Sequence, residues 1–185
     1  MLFRSVRAAI GSGEVRSRFQ PAGVVALEGL VAPDTYRVAA EEDETDVLRT
    51  MTRLFDERAS ALGLGRGPVR GRSAYEVLTV ASLVEAEAGV ESDRPLIAGV
   101  IYNRLEQGMP LQIDATLIYA RGDPSRRDLS NADKQIDSPY NTYRVDGLPP
   151  TPIALVSDAS LRAALAPAAT DALFYVVTEI GRAHV

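Results

Sequence analysis

Residues 73–89 most constrain what this chain can fold into, because they combine a helix start, an apolar helical face and a helix stop. Ser73 and Glu76 form a capping-box pattern, which is typical of the first turn of a helix. The apolar residues that follow share one face at about 100° per residue, and they are Val77, Val80, Ala81, Val84 and Ala88. The pattern predicts a buried helix that ends just before Gly89.

Two glutamates, Glu85 and Glu87, interrupt this apolar helix. Glu87 projects between Val80 and Leu83, about 60° from the centre of the apolar face, whereas Glu85 lies about 100° away. We therefore expect Glu87 to be the more desolvated carboxyl, and desolvation raises a carboxyl pKa toward the range in which a general acid works. Periodicity alone favours another interpretation, in which both glutamates are solvated charges on the edge of the helix.

Three further helices are predicted around this segment. The first is predicted from apolar residues at helical spacing that follow the acidic segment 41–46, and Thr45 is its predicted cap. A second helix is predicted over 94–107, with Pro95 in its first turn. A short third helix is predicted over 159–165. The centre of the chain is therefore expected to be helical.

The remaining segments predict loops and strands. Residues 109–151 are punctuated by glycine and proline, which predicts a long irregular region that forms a cleft wall. Residues 24–33 and 173–177 are rich in β-branched and aromatic residues, which predicts small β elements at both ends. The predicted fold class is α+β.

Composition excludes several function classes. With 20 Lys and Arg against 25 Asp and Glu, the net charge is −5, which argues against a nucleic-acid partner. The chain has no cysteine and one histidine, His184, so thiolate nucleophiles, histidine triads and multi-histidine metal sites are not expected. No apolar stretch approaches the roughly 20 residues of a membrane span. Carboxylates, hydroxyls and arginines remain for catalysis, and neither a metal nor a cofactor is predicted.

Polar and aromatic side chains gather around the predicted cleft wall. Asn103 and Arg104 end the helix over 94–107, polar residues follow Gly108, and the segment 138–143 combines two tyrosines with an amide and a hydroxyl. Such side chains suit a sugar, whose hydroxyls need hydrogen-bonding partners and whose apolar face stacks on rings. The alternative is that they satisfy the backbone of the loops.

Five segments in order and spacing carry a resemblance to a known family. They are LEGLVAPDTY (27–36), ASLVEAEAG (81–89), VIYNRLEQGMPLQIDATLIYA (100–120), SPYNTYRVDGLPPTPI (138–153) and LFYVV (173–177). Together they resemble the YceG-like family of endolytic murein transglycosylases. The resemblance implies a lysozyme-like helical catalytic centre. It also implies cleavage of the β-1,4 bond between N-acetylmuramic acid and N-acetylglucosamine in peptidoglycan glycan strands, with the muramic 6-hydroxyl as nucleophile and a 1,6-anhydro end as product.

The resemblance also implies residue roles. Glu87, followed by the small Ala88, matches the position of the family's catalytic glutamate, and Glu85 is the second choice, with a supporting role such as pairing with Arg104. The substrate-binding residues implied by the motifs are Asn103, Gln112, Asp114, Thr116, Tyr119, Tyr140, Asn141, Thr142 and Tyr143. Two alternatives stay open: a hydrolytic muramidase, and an inactive module that binds glycan or divisome proteins.

The resemblance finally implies an organisation of the chain. Residues 1–24 are expected to be a remnant of an upstream region or a linker, 25–178 a catalytic domain that lacks its C-terminal part, and 179–185 a non-native tail. Family members typically begin with a membrane-spanning helix and a LysM-like domain. The full-length protein is therefore expected at the extracytoplasmic face of the bacterial membrane, attached only through that missing helix, with glycan strands and peptidoglycan synthases as partners.

Overall fold

The fold is described here from a computed structural model, which covers residues 2–126, 128–177 and 183–184 and is built almost entirely from helices. The α-helices are α1 (Leu2–Gly11), α2 (Glu44–Leu62), α3 (Ala74–Glu87), α4 (Arg94–Glu106), α5 (Asp114–Arg121) and α6 (Asp158–Leu165). Short 3-10 turns occupy Glu91–Asp93 and Asp133–Gln135. Two strands, β1 (Val176–Val177) and β2 (Ala183–His184), pair in antiparallel orientation.

Helix α3 is the centre of the hydrophobic core. Its capping box is confirmed: the Ser73 hydroxyl accepts the backbone N–H of Glu76 at 3.3 Å, and the Glu76 carboxylate accepts the backbone N–H of Ser73 at 2.8 Å. Apart from Glu76, every residue from Tyr75 to Val84 is buried. Burial all round, rather than along one face, is expected of a helix that other elements enclose.

Helices α4, α5 and α6 enclose α3. Helix α4 lies close to the chain that follows α6, since a Cβ on Gly99 would come within 2.7 Å of the Ala168 carbonyl oxygen. The buried Tyr102 hydroxyl donates to the Ala164 carbonyl at 2.9 Å. These contacts fix the end of α6 and the segment behind it against α4.

Helices α1 and α2 form a smaller unit around the buried residues Val15, Leu27 and Leu48. The predicted cap of α2 at Thr45 is wrong. Asp43 is the N-cap, and its carboxylate accepts the backbone N–H groups of Thr45 and Asp46. An aspartate two residues earlier captures the free N–H groups of the first turn, so the helix begins at residue 44.

The strand predictions are wrong except for a short part of one. Residues 24–33 contain no strand and follow turns, with Gly29 in the left-handed region at φ +73°. Leu27, Leu30 and Ala32 are buried in the hydrophobic clusters, and no strand among the described residues lies beside this segment to pair with it. Of LFYVV only Val176–Val177 is a strand. The described part of the chain is therefore helical rather than α+β.

The region 109–151 is not irregular throughout, because it contains α5. This helix has eight residues and ends at Gly122, and so short a helix carries too little periodicity to stand out. Gly89 has no left-handed conformation; α3 ends because Ala88 turns to extended backbone. The lysozyme-like arrangement is not confirmed.

The domain boundaries stay predictions. Most of the predicted tail, 179–185, lies outside the described residues. None of the helices that the structure describes combines the length and apolarity needed to cross a membrane.

Candidate active site

Glu87 is the last residue of α3, and its side chain lines a cavity of about 290 Å³. Helix α4 supplies one wall through Val100, Ile101 and Arg104. The chain leading into α5, residues 111–114, and the segment 173–175 supply the others. A carboxyl at the end of a buried helix thus opens onto a space that is bordered by both polar and apolar groups.

Burial raises the pKa of Glu87 above that of an ordinary glutamate, which is the direction that the helical geometry predicts. Two hydrogen bonds act in the opposite sense: the Tyr175 hydroxyl donates to Oε2 at 2.9 Å, and the backbone N–H of Ala115 also donates to the carboxylate. The negative charge of Asp114 adds to the upward shift. Because desolvation outweighs the two donors, this carboxyl retains its proton to higher pH than a solvated glutamate does.

Glu85 lies in a different environment, against the first turn of α6. Its carboxylate accepts the Ser157 backbone N–H at 3.1 Å and the Ser157 hydroxyl, and Arg94 approaches it at 3.5 Å. Burial alone would raise the pKa of Glu85, but hydrogen bonds from Ser157 and Ser160 and the charge of Arg94 lower it overall. A carboxyl held in this way stays ionised to lower pH than a solvated glutamate does, and it ties α3 to α6.

The predicted pairing of Glu85 with Arg104 is wrong. Arg104 instead donates to the Leu111 carbonyl at 2.5 Å and to the Gln112 side-chain oxygen at 3.3 Å. Its guanidinium lies 4.7 Å from the centre of the Phe174 ring. Arg104 thereby holds two walls of the Glu87 cavity together. The arginine that pairs with Glu85 is Arg94.

Three predicted binding residues share the cavity with Glu87: Gln112, Asp114 and Tyr143. The Tyr143 hydroxyl donates to Asp114 at 2.5 Å. Gln112 adopts a left-handed backbone at φ +54°, and its N–H donates to the Thr142 carbonyl at 2.9 Å. A non-glycine residue in this conformation is uncommon and often occurs at functional sites.

Four other predicted binding residues lie behind the cavity wall and are buried. The Asn103 amide donates to the carbonyls of Thr170 and Ala172, both at 2.9 Å, and thus holds the segment that leads to Tyr175. Thr142 accepts the backbone N–H of Ile113 at 3.0 Å and is hydrogen-bonded to Thr116 at 2.8 Å. Asn141, the fourth residue, donates its side-chain amide to the Lys134 and Ile136 carbonyls.

The last two, Tyr119 and Tyr140, lie away from the Glu87 cavity. Their ring centres are 4.8 Å apart, and the Tyr140 hydroxyl is 2.8 Å from that of Thr151. Tyr119 lines a second cavity of about 740 Å³, beside the first. The polar residues near Glu87 are thus divided between those that face the cavity and those that support its walls.

Tyr175 is a contact of Glu87 that the sequence analysis did not single out, because it belongs to a segment that was interpreted as a buried strand. The signal available in the sequence was a phenol in an otherwise apolar run. Among the described residues, no group of three His, Cys, Asp or Glu side chains is arranged to hold a metal ion. The chemistry that the site offers is proton transfer at Glu87, beside hydrogen-bonding groups on Gln112, Asp114 and Tyr143.

Fold and site together define a helical domain with a desolvated glutamic acid in a cleft. The YceG-like family model matches residues 3–185, and the chain belongs to that family. This is the family that the five sequence segments resemble, so the recognition is confirmed.

Proteins named endolytic murein transglycosylase are similar to this chain. The one from Bacillus subtilis (strain 168) is 39% identical over 157 residues, which are 84% of this chain and 43% of that protein. The one from Streptococcus pneumoniae (serotype 2, strain D39) is 37% identical over 166 residues, 83% of this chain and 29% of that protein. The chain therefore spans less than half the length of these curated relatives.

A crystal structure of a YceG-like protein from Listeria monocytogenes has a similar fold. The TM-score is 0.81 and the sequence identity 32%, and the match covers 98% of this chain and 60% of that one. The helical architecture is thus shared with a solved member of the family.

Proposed function

We propose that this chain is the catalytic unit of a lytic transglycosylase that cleaves peptidoglycan glycan strands internally. The observation that carries the proposal is Glu87: a carboxyl with a raised pKa, at the wall of a cavity lined by hydrogen-bonding groups. The names of the curated relatives support the same activity. The scissile bond is the β-1,4 bond between N-acetylmuramic acid and N-acetylglucosamine.

Glu87 acts first as acid and then as base. Protonated Glu87 gives its proton to the glycosidic oxygen as the bond to C1 of the muramic residue breaks, and the N-acetylglucosamine leaves with a free 4-hydroxyl. The Glu87 carboxylate then takes the proton of the muramic 6-hydroxyl while that oxygen bonds to C1. The product carries a 1,6-anhydro end, and no water is consumed.

One carboxyl is sufficient for this chemistry, because the substrate provides its own nucleophile. Glycosidases that use two carboxyls place them on either side of the bond. Glu85 does not fit such a role, since side chains two residues apart on a helix point about 200° from each other. Glu85 is also engaged by Ser157 and Arg94. We assign it the supporting role of fixing the end of α3.

Asp114 and its neighbours complete the site. Asp114 carries a negative charge close to Glu87, where it favours the protonated carboxyl and the positive charge that develops at C1. Gln112 and Tyr143 bind sugar hydroxyl and acetamido groups, Asn103, Thr116, Asn141 and Thr142 keep the walls in place, and Tyr119 and Tyr140 extend the binding surface. The full-length protein is then expected to act outside the cytoplasmic membrane, where glycan strands are assembled, with peptidoglycan synthases as partners.

The test is product analysis of glycan strands digested with the purified chain in ¹⁸O-labelled water. Mass spectrometry is expected to show new ends that lack one water relative to reducing ends and contain no ¹⁸O. Reducing ends that incorporate ¹⁸O would identify a hydrolytic muramidase instead. Digestion by Glu87→Gln at the wild-type rate would show that this carboxyl is not the acid.

A further inference from the structure

Phe174 is an exposed aromatic residue at the wall of the Glu87 cavity, and the proposed mechanism does not use it. It is 63% exposed, although phenylalanine is among the residues most often buried. Leu173 and Tyr175, its neighbours in the chain, line the same cavity. Because the Tyr175 hydroxyl donates to Glu87 at 2.9 Å, Phe174 directly precedes a residue that contacts the acid.

The Phe174 ring rests on the side chain of Arg104. The guanidinium carbon of Arg104 lies 4.7 Å from the ring centre, which is a cation–π contact. Arg104 is itself buried, and it donates to the Leu111 carbonyl and to the Gln112 side chain. The ring therefore packs on a guanidinium that is fixed by hydrogen bonds, and the rest of its surface stays accessible at the cavity.

The chain on both sides of Phe174 is anchored to the helices that carry the site. Before it, the Asn103 amide of α4 donates to the carbonyls of Thr170 and Ala172, both at 2.9 Å. After it, Tyr175 is hydrogen-bonded to Glu87 at the end of α3. A ring that is already held in position loses little conformational entropy when a ligand binds to it.

Single exposed apolar side chains are common on protein surfaces and need no function. Val25 and Val38, which are 46% and 55% exposed, are of this kind with respect to the site, because neither lines the Glu87 cavity. Phe174 differs from them in two ways: it lines that cavity, and it presents an aromatic ring there. Aromatic side chains in a cleft beside a few polar groups are typical of ligand sites.

The chemistry of this wall suits a pyranose ring. In a β-1,4-linked N-acetylhexosamine the ring substituents are equatorial, so polar groups surround the rim and C–H groups cover the two faces. The C–H face packs on an aromatic ring, while the rim needs hydrogen-bonding partners. Gln112, Asp114 and Tyr143 line the same cavity as Phe174 and offer such partners.

We infer that Phe174 is a substrate-binding residue on which the N-acetylhexosamine ring next to the scissile bond stacks. This inference rests on the proposed function, which supplies the glycan strand. Stacking on the ring stabilises the bound strand before proton transfer as well as during it. Loss of the ring is therefore expected to raise KM for strand cleavage about tenfold, with kcat changed by less than about threefold.

The first test is calorimetric binding of an uncleavable tetrasaccharide to the whole chain. The ligand has two N-acetylglucosaminyl-N-acetylmuramic acid units, joined by sulfur in place of the scissile oxygen. Sulfur accepts a proton from an acid much less readily, so binding is measured apart from cleavage. Phe174→Leu keeps an apolar side chain without a ring and should bind about tenfold more weakly. Phe174→Trp should bind within about threefold of wild type, and Val38→Ala, at an exposed apolar position outside the cavity, should bind as wild type does.

The second test uses fluorescence, because the chain contains no tryptophan. In Phe174→Trp the introduced indole is the only one in the protein. Titration with the same tetrasaccharide is expected to shift its emission to shorter wavelength, since the sugar removes water from the ring. Val38→Trp is the matched control, and its emission should not change.

Binding of the tetrasaccharide by Phe174→Leu within about twofold of wild type would overturn the inference. Emission of Phe174→Trp that stays unchanged at saturating ligand would overturn it as well, and this readout does not depend on a loss of affinity. A chain that shows both effects and cleaves no strand would contradict the proposed function while the stacking site stands. A chain that cleaves strands but shows neither effect would leave the proposed function standing without the stacking site.

Discussion

The two sides of the last turn of α3 place the same chemical group in opposite electrostatic environments. On one side, Glu85 is surrounded by two donor groups of Ser157 and by Arg94, and its pKa is lowered. On the other side, Glu87 is more deeply buried, faces a second carboxylate on Asp114, and its pKa is raised. The partners supplied by other elements, and not the residue type, therefore decide which of the two carboxyls can hold a proton near neutral pH. One side stabilises the fold, and the other is equipped for proton transfer.

The largest effect is expected from removing each carboxyl in turn. Glu87→Gln should lower the rate of strand cleavage by about a thousandfold, because an amide keeps the shape of the side chain and donates no comparable acid proton. Glu85→Gln is the matched variant two residues away, and it should lower the cleavage rate by less than about tenfold. Initial rates of release of soluble fragments measure both. Equal losses in the two variants would remove the distinction between the two sides.

A smaller effect is expected from Tyr175→Phe. The hydroxyl of Tyr175 donates to Glu87 and stabilises its ionised form, so removing it should raise the pKa of Glu87 further. The rate falls at alkaline pH when the acid loses its proton, so the alkaline limb of the pH–rate profile should move to higher pH, with a loss of maximal rate of about tenfold or less. A variant that lowers the rate equally at every pH would show that Tyr175 acts only on the shape of the cavity.

The smallest effect is expected on the free energy of unfolding, and Glu85→Gln and Glu87→Gln should not change it in the same direction. Near pH 7, Glu85→Gln should lower the free energy of unfolding by about 1–2 kcal/mol, because charge-assisted hydrogen bonds are lost. Glu87→Gln should leave it unchanged or raise it by up to about 1 kcal/mol, because a desolvated charge is removed. Denaturant unfolding of both variants and the wild type measures the difference.

The pH dependence of that difference follows from the two pKa directions. The folded-state pKa of Glu85 lies below its unfolded value of about 4.3, so its stabilisation is present above that pH and is lost as the pH falls through the folded value. The folded-state pKa of Glu87 lies above its unfolded value, so its contribution is most favourable below about pH 4.3 and is lost as the pH rises through the folded value. The two variants should therefore converge in acid. Variants that stay equally far apart in acid would contradict this assignment.

The parts of the fold that could be predicted from sequence are those with local causes. The capping box of Ser73 and Glu76 and the proline in the first turn of α4 each act within a few residues, so α3 and α4 were predicted close to their observed bounds. The segment 24–33 has residues that suit a strand, yet a strand requires a partner. Among the described residues no strand lies beside it, because α2, α3 and the chain near Pro152 occupy its surroundings.

The candidate site also has features that could be predicted from the sequence and features that could not. The greater burial of Glu87 follows from helical geometry and was predictable. The arginine near Glu85 was not, because Arg94 and Arg104 lie on one helix and only the packing of α6 against α3 decides which of them meets the carboxylate. Tyr175 was not predictable either, since it comes from 88 residues further along the chain.

A titration of both glutamate side chains by carboxyl-detected ¹³C NMR most directly tests the claim that the two sides of α3 hold their carboxyls differently. Assignment follows from Glu85→Gln and Glu87→Gln, each of which removes one signal. We expect a midpoint for Glu87 above the ordinary glutamate value of about 4.3 and a midpoint for Glu85 below it. Coincident midpoints, or the reverse order, would contradict the assignment of Glu87 as the proton donor.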